Sequence, residues 1–280
     1  MQRPPGPPDP VRQPAQGRHA AEGHRPGVDG LVIHGAGPGL GQLGRVEGEA
    51  IIRHQLFDVQ QVDHRQARRA VALHQAAVGQ HPVVPAGGDQ ALAQGKVHYT
   101  SNFGMMELRQ AIADKLKREN HIDYKASEVL VTVGLSEAVF AVLATLLDEG
   151  DEILVPDPVW LNYINVPNLL GARAVTYSLK EENGYQMDFG EIRAKITPRT
   201  RAVVIVTPNN PTGGVLEEDV LKELASIVQE HDLMVIADEI YERLVYDGCK
   251  HVSIASLPGM KERTFTMNGM SKAYAMDGWR

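Results

Sequence analysis

The chain has 280 residues, enough for one large domain or two ordinary ones, and 43% of them are apolar, as in a globular protein with a sizeable core. A net charge of −7 argues against nucleic acid as the main partner, and a single cysteine, Cys249, excludes an internal disulfide, fits a reducing cytoplasm and is read as an inert packing residue. No apolar run approaches the roughly 18 residues of a membrane span, and the Pro- and Arg-rich amino terminus lacks the apolar core of a signal peptide, so a cytoplasmic protein without a membrane partner is expected.

Residues 1–94 are chemically unlike the rest. They contain no Lys, Ser, Thr, Asn, Tyr, Trp or Cys, and every one of these types appears from Lys96 onward. The missing types are largely those with A/T-rich codons, which is what a wrong-frame or wrong-strand translation of GC-rich DNA joined to a genuine coding region would produce. The alternative is a disordered, low-complexity Pro/Gly/Gln-rich extension. Gly39-Leu-Gly41-Gln-Leu-Gly44 fits a dinucleotide-binding fingerprint, with Asp58 near the spacing of a ribose-binding acid. The apolar run before it, Leu31-Val-Ile, is interrupted by His34 and Pro38, and no helix follows, so it is read as a decoy. His19, His24, His34, His54, His64, His74 and His81 never take ligand spacing with Cys or carboxylates, and no metal site is expected.

From Leu92 the chain reads as ordinary protein. Tyr99 to Gly104 is a loop, and Met106 to Asn120 predicts an amphipathic helix with Leu108, Ile112 and Leu116 inward and Arg109, Lys115 and Lys117 outward. Val129 to Gly134 predicts a strand ending in glycine, and Ser136 to Leu147 a helix whose amino terminus points back toward the strand ends. Such a terminus offers free N–H groups and a positive dipole end, so Gly134, Leu135 and Ser136 are candidate anion contacts, with Ser136 also a possible N-cap. Asp151 to Trp160 is a short strand and a Pro-bounded turn, Ala172 to Leu179 another strand, and Tyr185 to Ile196 a helical connection.

Three further segments bear the chemistry. Arg201-Ala-Val-Val-Ile-Val-Thr-Pro-Asn-Asn-Pro-Thr-Gly-Gly is a β-branched run stopping at a turn, which would place Asn210 at the carboxyl end of a buried parallel strand. Leu216 to His231 predicts a helix with Val220, Leu221, Leu224, Ile227 and Val228 on one face and Glu217, Glu218 and Asp219 in its first turn. Leu233-Met-Val-Ile-Ala-Asp-Glu-Ile-Tyr is a second apolar strand ending in Asp238, with Tyr241 three residues on, and a carboxylate there is costly unless a cation pairs with it. A right-handed crossover brings Asn210 and Asp238 out on the same sheet edge. Finally Arg263 to Met267 is a strand feeding a small-residue loop that presents Ser271 and Lys272, with Gly278-Trp-Arg280 beyond: a reactive lysine with an anion clamp nearby.

Together and in register, Asn210-Pro-Thr-Gly, Asp238-Glu-Ile-Tyr241, and Ser271-Lys272 followed by Gly278-Trp-Arg280 resemble the class I/II aminotransferases of the pyridoxal-phosphate fold-type I group, from about Ala91 to Arg280. The resemblance implies an α/β large domain, a mostly parallel sheet flanked by helices, over residues 95–280, with the small domain largely missing. It implies pyridoxal 5′-phosphate as cofactor and transfer of an amino group from an L-amino acid to a 2-oxo acid. Lys272 would form the Schiff base, and Asp238 would keep the pyridine nitrogen protonated. Asn210 and Tyr241 would bond the ring's phenolic oxygen, and Trp160 would lie over the ring. Arg280 and Ser271, with the 134–136 loop, would clamp the phosphate. Tyr99 would reach the phosphate of the neighbouring subunit in a homodimer.

Two departures limit this implication. The family's small domain, built from both chain ends and carrying an arginine for the substrate carboxylate, has no counterpart here, and the segment that normally supplies a substrate-gripping glycine is replaced by the anomalous one. Weak cofactor binding and slow or absent transamination are therefore expected of this polypeptide. Another fold-type I activity such as a carbon–sulfur lyase, an inactive fragment and an effector-sensing regulator domain stay open as alternatives.

Overall fold

The computed structural model describes residues 32–35 and 83–278. One sheet of seven strands runs in the order β2-β1-β7-β6-β5-β3-β4. Its strands are β1 Val32–Gly35, β2 Val129–Thr132, β3 Glu152–Asp157, β4 Arg173–Ser178, β5 Thr200–Val206, β6 Met234–Asp238 and β7 Thr264–Gly269, and every ladder between them is parallel. The helices are α1 Val83–Ala93, α2 Met106–Lys115, α3 Gly134–Leu146, α4 Asn162–Leu169, α5 Phe189–Lys195, α6 Glu218–Glu230 and the short α7 Met270–Ala273. Among the described residues no helix is long and apolar enough to cross a membrane.

The central strands are buried on both faces, as parallel strands sandwiched between helices must be, and this is why they read as unbroken apolar runs. Side chains alternate between the faces. Val203, Ile205, Val235 and Ala237 meet Leu221, Leu224, Ile227 and Val228 of α6, whereas Ala202, Val204, Val206 and Ile236 meet Val139, Val142 and Leu143 of α3 and Tyr163 of α4. A third cluster, Ile112, Leu116, Ile122, Tyr124 and Val129, fastens α2 to the β2 edge.

Several elements depart from their sequence reading. β1 lies between β2 and β7, so the compositionally odd segment contributes a strand to the sheet interior; Val32 and Ile33 are β-branched, and both neighbours offer an open hydrogen-bonding edge. α1 also falls within that segment. The Gly39–Gly44 motif, Asp58 and the histidines named above, apart from the backbone of His34 in β1, lie outside the described residues. α2 ends at Lys115 and continues as one π turn, Leu116–Asn120. Arg109 points inward rather than out, because its Nε donates to the Val129 carbonyl at 2.8 Å, and Lys115 is likewise held inside by Glu242 and Asn120. Helix α4 is not announced by the sequence, since Pro167 sits inside it and breaks the usual helical signal. Cys249 is exposed, not packed, because it follows the Asp247-Gly248 turn at the surface.

Candidate active site

In an open parallel sheet ligands bind in the crevice outside the carboxyl ends of the strands. That crevice here is a cavity of about 230 Å³ lined by Gly134, Leu135 and Ser136 after β2, Trp160 after β3, Val206 of β5 and Asn210 after it, Asp238 of β6 and Ile240 and Tyr241 after it, and Ser271 and Lys272 from α7. The registers explain the convergence. Val206 pairs with Asp238 and Asp238 with Met267, so β5, β6 and β7 end almost level and their following turns face one another.

Strand alternation decides where each β6 side chain goes. Asp238 has the parity of Ile236 and faces α4, where the Tyr163 hydroxyl donates to its Oδ2 at 2.8 Å; the Ile240 amide donates to its Oδ1 at 3.1 Å. The carboxyl is almost wholly buried, and burial pushes its pKa up to about 6. The Tyr163 and Ile240 donors oppose that rise, while the charge of Glu239 adds to it. Both of these donors are neutral, so the buried carboxylate still favours a cation at the cavity floor. Tyr241 is held above its ordinary value, first by burial and then by the charge of Asp238.

Also lining the cavity, α3 begins at Gly134, and Val133 in the N-cap position supplies no side-chain cap. Ser136 therefore lies inside the first turn instead of capping it, and it lines the cavity. Ser271 and Lys272 open α7 immediately after β7. Trp160 packs edge-on against Tyr163, with ring centroids 6.0 Å apart and planes at 81°.

Of the predicted site residues, Gly134, Leu135, Ser136, Trp160, Asn210, Asp238, Tyr241, Ser271 and Lys272 thus meet in one cavity. Tyr99 does not; it is fully exposed on the loop before α2. Arg280 lies outside the described residues. Tyr163 was legible only as an aromatic three positions after Trp160, and the helix that aims it at Asp238 carries no sequence signal.

A sequence profile of the family "Aminotransferase class I and II" matches residues 72–280. The aromatic-amino-acid aminotransferase 2 of Thermococcus litoralis is 46% identical over 192 residues, 68% of this chain and 49% of that protein; the aspartate aminotransferase of Pyrococcus abyssi is 45% identical over the same shares. Among solved structures, the aromatic aminotransferase from Pyrococcus horikoshii superposes with a TM-score of 0.67 at 44% identity, covering 69% of this chain and 52% of that one. The aspartate aminotransferase from Thermus thermophilus with maleate gives 0.68 at 42% identity, covering 70% and 51%. The chain spans about half the length of the curated relatives it matches.

Proposed function

The chain belongs to the class I and II aminotransferase family, and from that premise we propose that its cavity binds pyridoxal 5′-phosphate and serves amino-group transfer from an L-amino acid to a 2-oxo acid. The observation that carries the reading is the convergence of Lys272, Asp238, Asn210, Tyr241 and two serines in one small cavity.

The residues present fit this cofactor. A ring nitrogen bearing a proton is the cation that the buried Asp238 carboxyl lacks, given that the donors it meets from Tyr163 and Ile240 are uncharged. The start of α3, where Glu137 accepts from the Val133 amide, lines the cavity with Ser136 and Ser271 and offers further donors suited to a phosphate. Trp160 lines the same cavity and offers an indole ring for stacking. When bound, the cofactor supplies an electron sink for a carbanion at the substrate's α-carbon.

The chain's own groups do the rest. Lys272 holds the cofactor through its Nζ, and the same amine carries the proton at the substrate carbon. Asp238 keeps the ring nitrogen charged, and Tyr163 with the Ile240 amide keeps Asp238 in place. Asn210 and Tyr241 donate to the ring oxygen, and the family resemblance assigns Arg280, which lies outside the described residues, to the phosphate. An acidic or aromatic amino donor is proposed, because the relatives quoted above are named for aspartate and for aromatic amino acids. A homodimer in which Tyr99 reaches the neighbouring site is supported by the exposure of Tyr99 and of the apolar side chains around it. A cytoplasmic location is supported by the single, unpaired cysteine.

The test is borohydride reduction of the purified chain after adding pyridoxal phosphate, followed by peptide mapping. A stable pyridoxyl label on Lys272, lost in Lys272→Ala, is the expected result; a chain that takes no label, or takes it on other lysines, refutes the proposal.

A further inference from the structure

One residue past β6, Glu239 still bonds its amide to the Met267 carbonyl of β7, and its side chain is entirely buried. Its Oε1 accepts from the Ser253 hydroxyl at 2.6 Å, and its Oε2 lies 3.1 Å from His251 Nε2. Three residues on, Glu242 is also buried, bonded by the Lys115 ammonium and by Asn120 Nδ2 at 2.7 Å. Two buried carboxylates thus anchor the two ends of one short turn, and the turn closes on itself through the Glu242 amide and the Glu239 carbonyl at 3.0 Å. Between the anchors sit Ile240, whose amide bonds Asp238, and Tyr241, which lines the cavity.

Carboxyl oxygens of Glu239 and Glu242 and a ring nitrogen of His251 lie within 4.8 Å of one another, the geometry of a cation site. Lys115 already holds Glu242, however, so the cluster carries its own positive charge. That leaves His251 as the partner of Glu239. Burial alone would push its imidazolium down, but the charge and hydrogen bond of Glu239, helped by Glu242 and opposed by Lys115, hold His251 above its ordinary value. Tyr124, from the segment before β2, also feels the charge of Glu239.

We propose that Glu239, His251 and Ser253 are positioning residues: they hold the turn that presents the Ile240 amide and Tyr241 to Asp238, and through them the protonation state of His251 is read at Asp238. This rests on the reading of Asp238 as the carboxylate that meets the cofactor ring. The sign follows from the raised histidine. The ion pair is complete below about pH 6.5, and it is lost as pH rises through the higher value His251 has when folded. Above that pH the neutral ring can still donate its Nε2–H to Glu239, but the anchor loses its charge, and the negative charge of Glu239 beside Asp238 loses its counter-ion.

The test is made on the cofactor-free chain by NMR, following the Ile240 amide, the His251 ring and the Asp238 carboxyl against pH. The Ile240 amide should show two steps, one with Asp238 and one with the His251 ring, and His251→Gln should remove only the second. Glu239→Gln should lower the midpoints of both His251 and Asp238, each by roughly half a unit or more. An Ile240 amide with no step at the His251 midpoint, or one that keeps it in His251→Gln, overturns the proposal; His251→Gln decides alone if Glu239→Gln does not fold. A Lys272 that takes no cofactor sinks the proposed function and leaves this coupling measurable.

Discussion

Asp238 carries a charge that its surroundings resist. The fold favours its protonated form, since its pKa stands near 6 in the folded chain against an ordinary 3.8. The contribution of Asp238 to the stability of the cofactor-free chain therefore declines as pH rises from about 4 through about 6 and then levels off; the difference is at most about 3 kcal/mol. Asp238→Asn should remove this penalty, stabilising the cofactor-free chain by about 1–3 kcal/mol at pH 7.5 but not at pH 4, in urea melts at the two values, while costing it cofactor. Tyr163→Phe should act in the opposite sense. Without the hydroxyl that favours the carboxylate, the Asp238 midpoint should climb by about one unit in a carboxyl NMR titration. Asn210, Asp238, Tyr241 and Lys272 were legible in the sequence because each sits at a strand end marked by an apolar run and a turn. Tyr163 was not, because its role depends on which face of a neighbouring helix meets β6.

Among the elements, α6 is the one whose sequence leaves least open. Leu221, Leu224, Ile227 and Val228 are completely buried against β5 and β6, on the helical spacing the sequence shows. Leu224→Ala should cost about 2–5 kcal/mol, read as a fall in the urea midpoint with little change in slope. The loop before α2 is held differently. Gly104 has φ +92°, and a Cβ there would lie 2.6 Å from the Val131 Cβ, while the neighbouring Phe103 carbonyl accepts from the Val131 amide. Gly104→Ala should therefore cost on the order of 1–3 kcal/mol and loosen the path of the loop toward β2; unchanged amide-exchange protection at Val131 would refute this. α2 exposes the weakness of reading charge as outwardness. Arg109 and Lys115 look solvated on a helical wheel, yet a bare strand carbonyl and a buried carboxylate draw both inward.

At the scale of the molecule, the apolar side chains of Leu92, Val97, Phe103, Met105 and Met106 are left exposed along one stretch, with Val133 beyond the end of β2 and Phe140 on α3. If that stretch meets a second copy, sedimentation should show a dimer, and Phe103→Glu should shift it toward monomer without lowering the melting temperature. A monomer at all concentrations would rule out the homodimer and the part proposed for Tyr99. We further propose that the chain divides near residue 95, where its composition changes. Sequencing the source transcript tests this, and a single uninterrupted frame yielding peptides from 1–94 would sink the idea of a mistranslated segment. The sequence by itself determined the alternation of strands and helices, the apolar faces and the residue types at the strand ends, because these follow from local periodicity and turn chemistry. Only the tertiary structure decided that β1 enters the sheet between β2 and β7, that Tyr163 meets Asp238, and that Glu239 and Glu242 brace the same turn. Those pairings join positions far apart in the chain, and their register and facing are set by sheet order and packing, which no local pattern encodes.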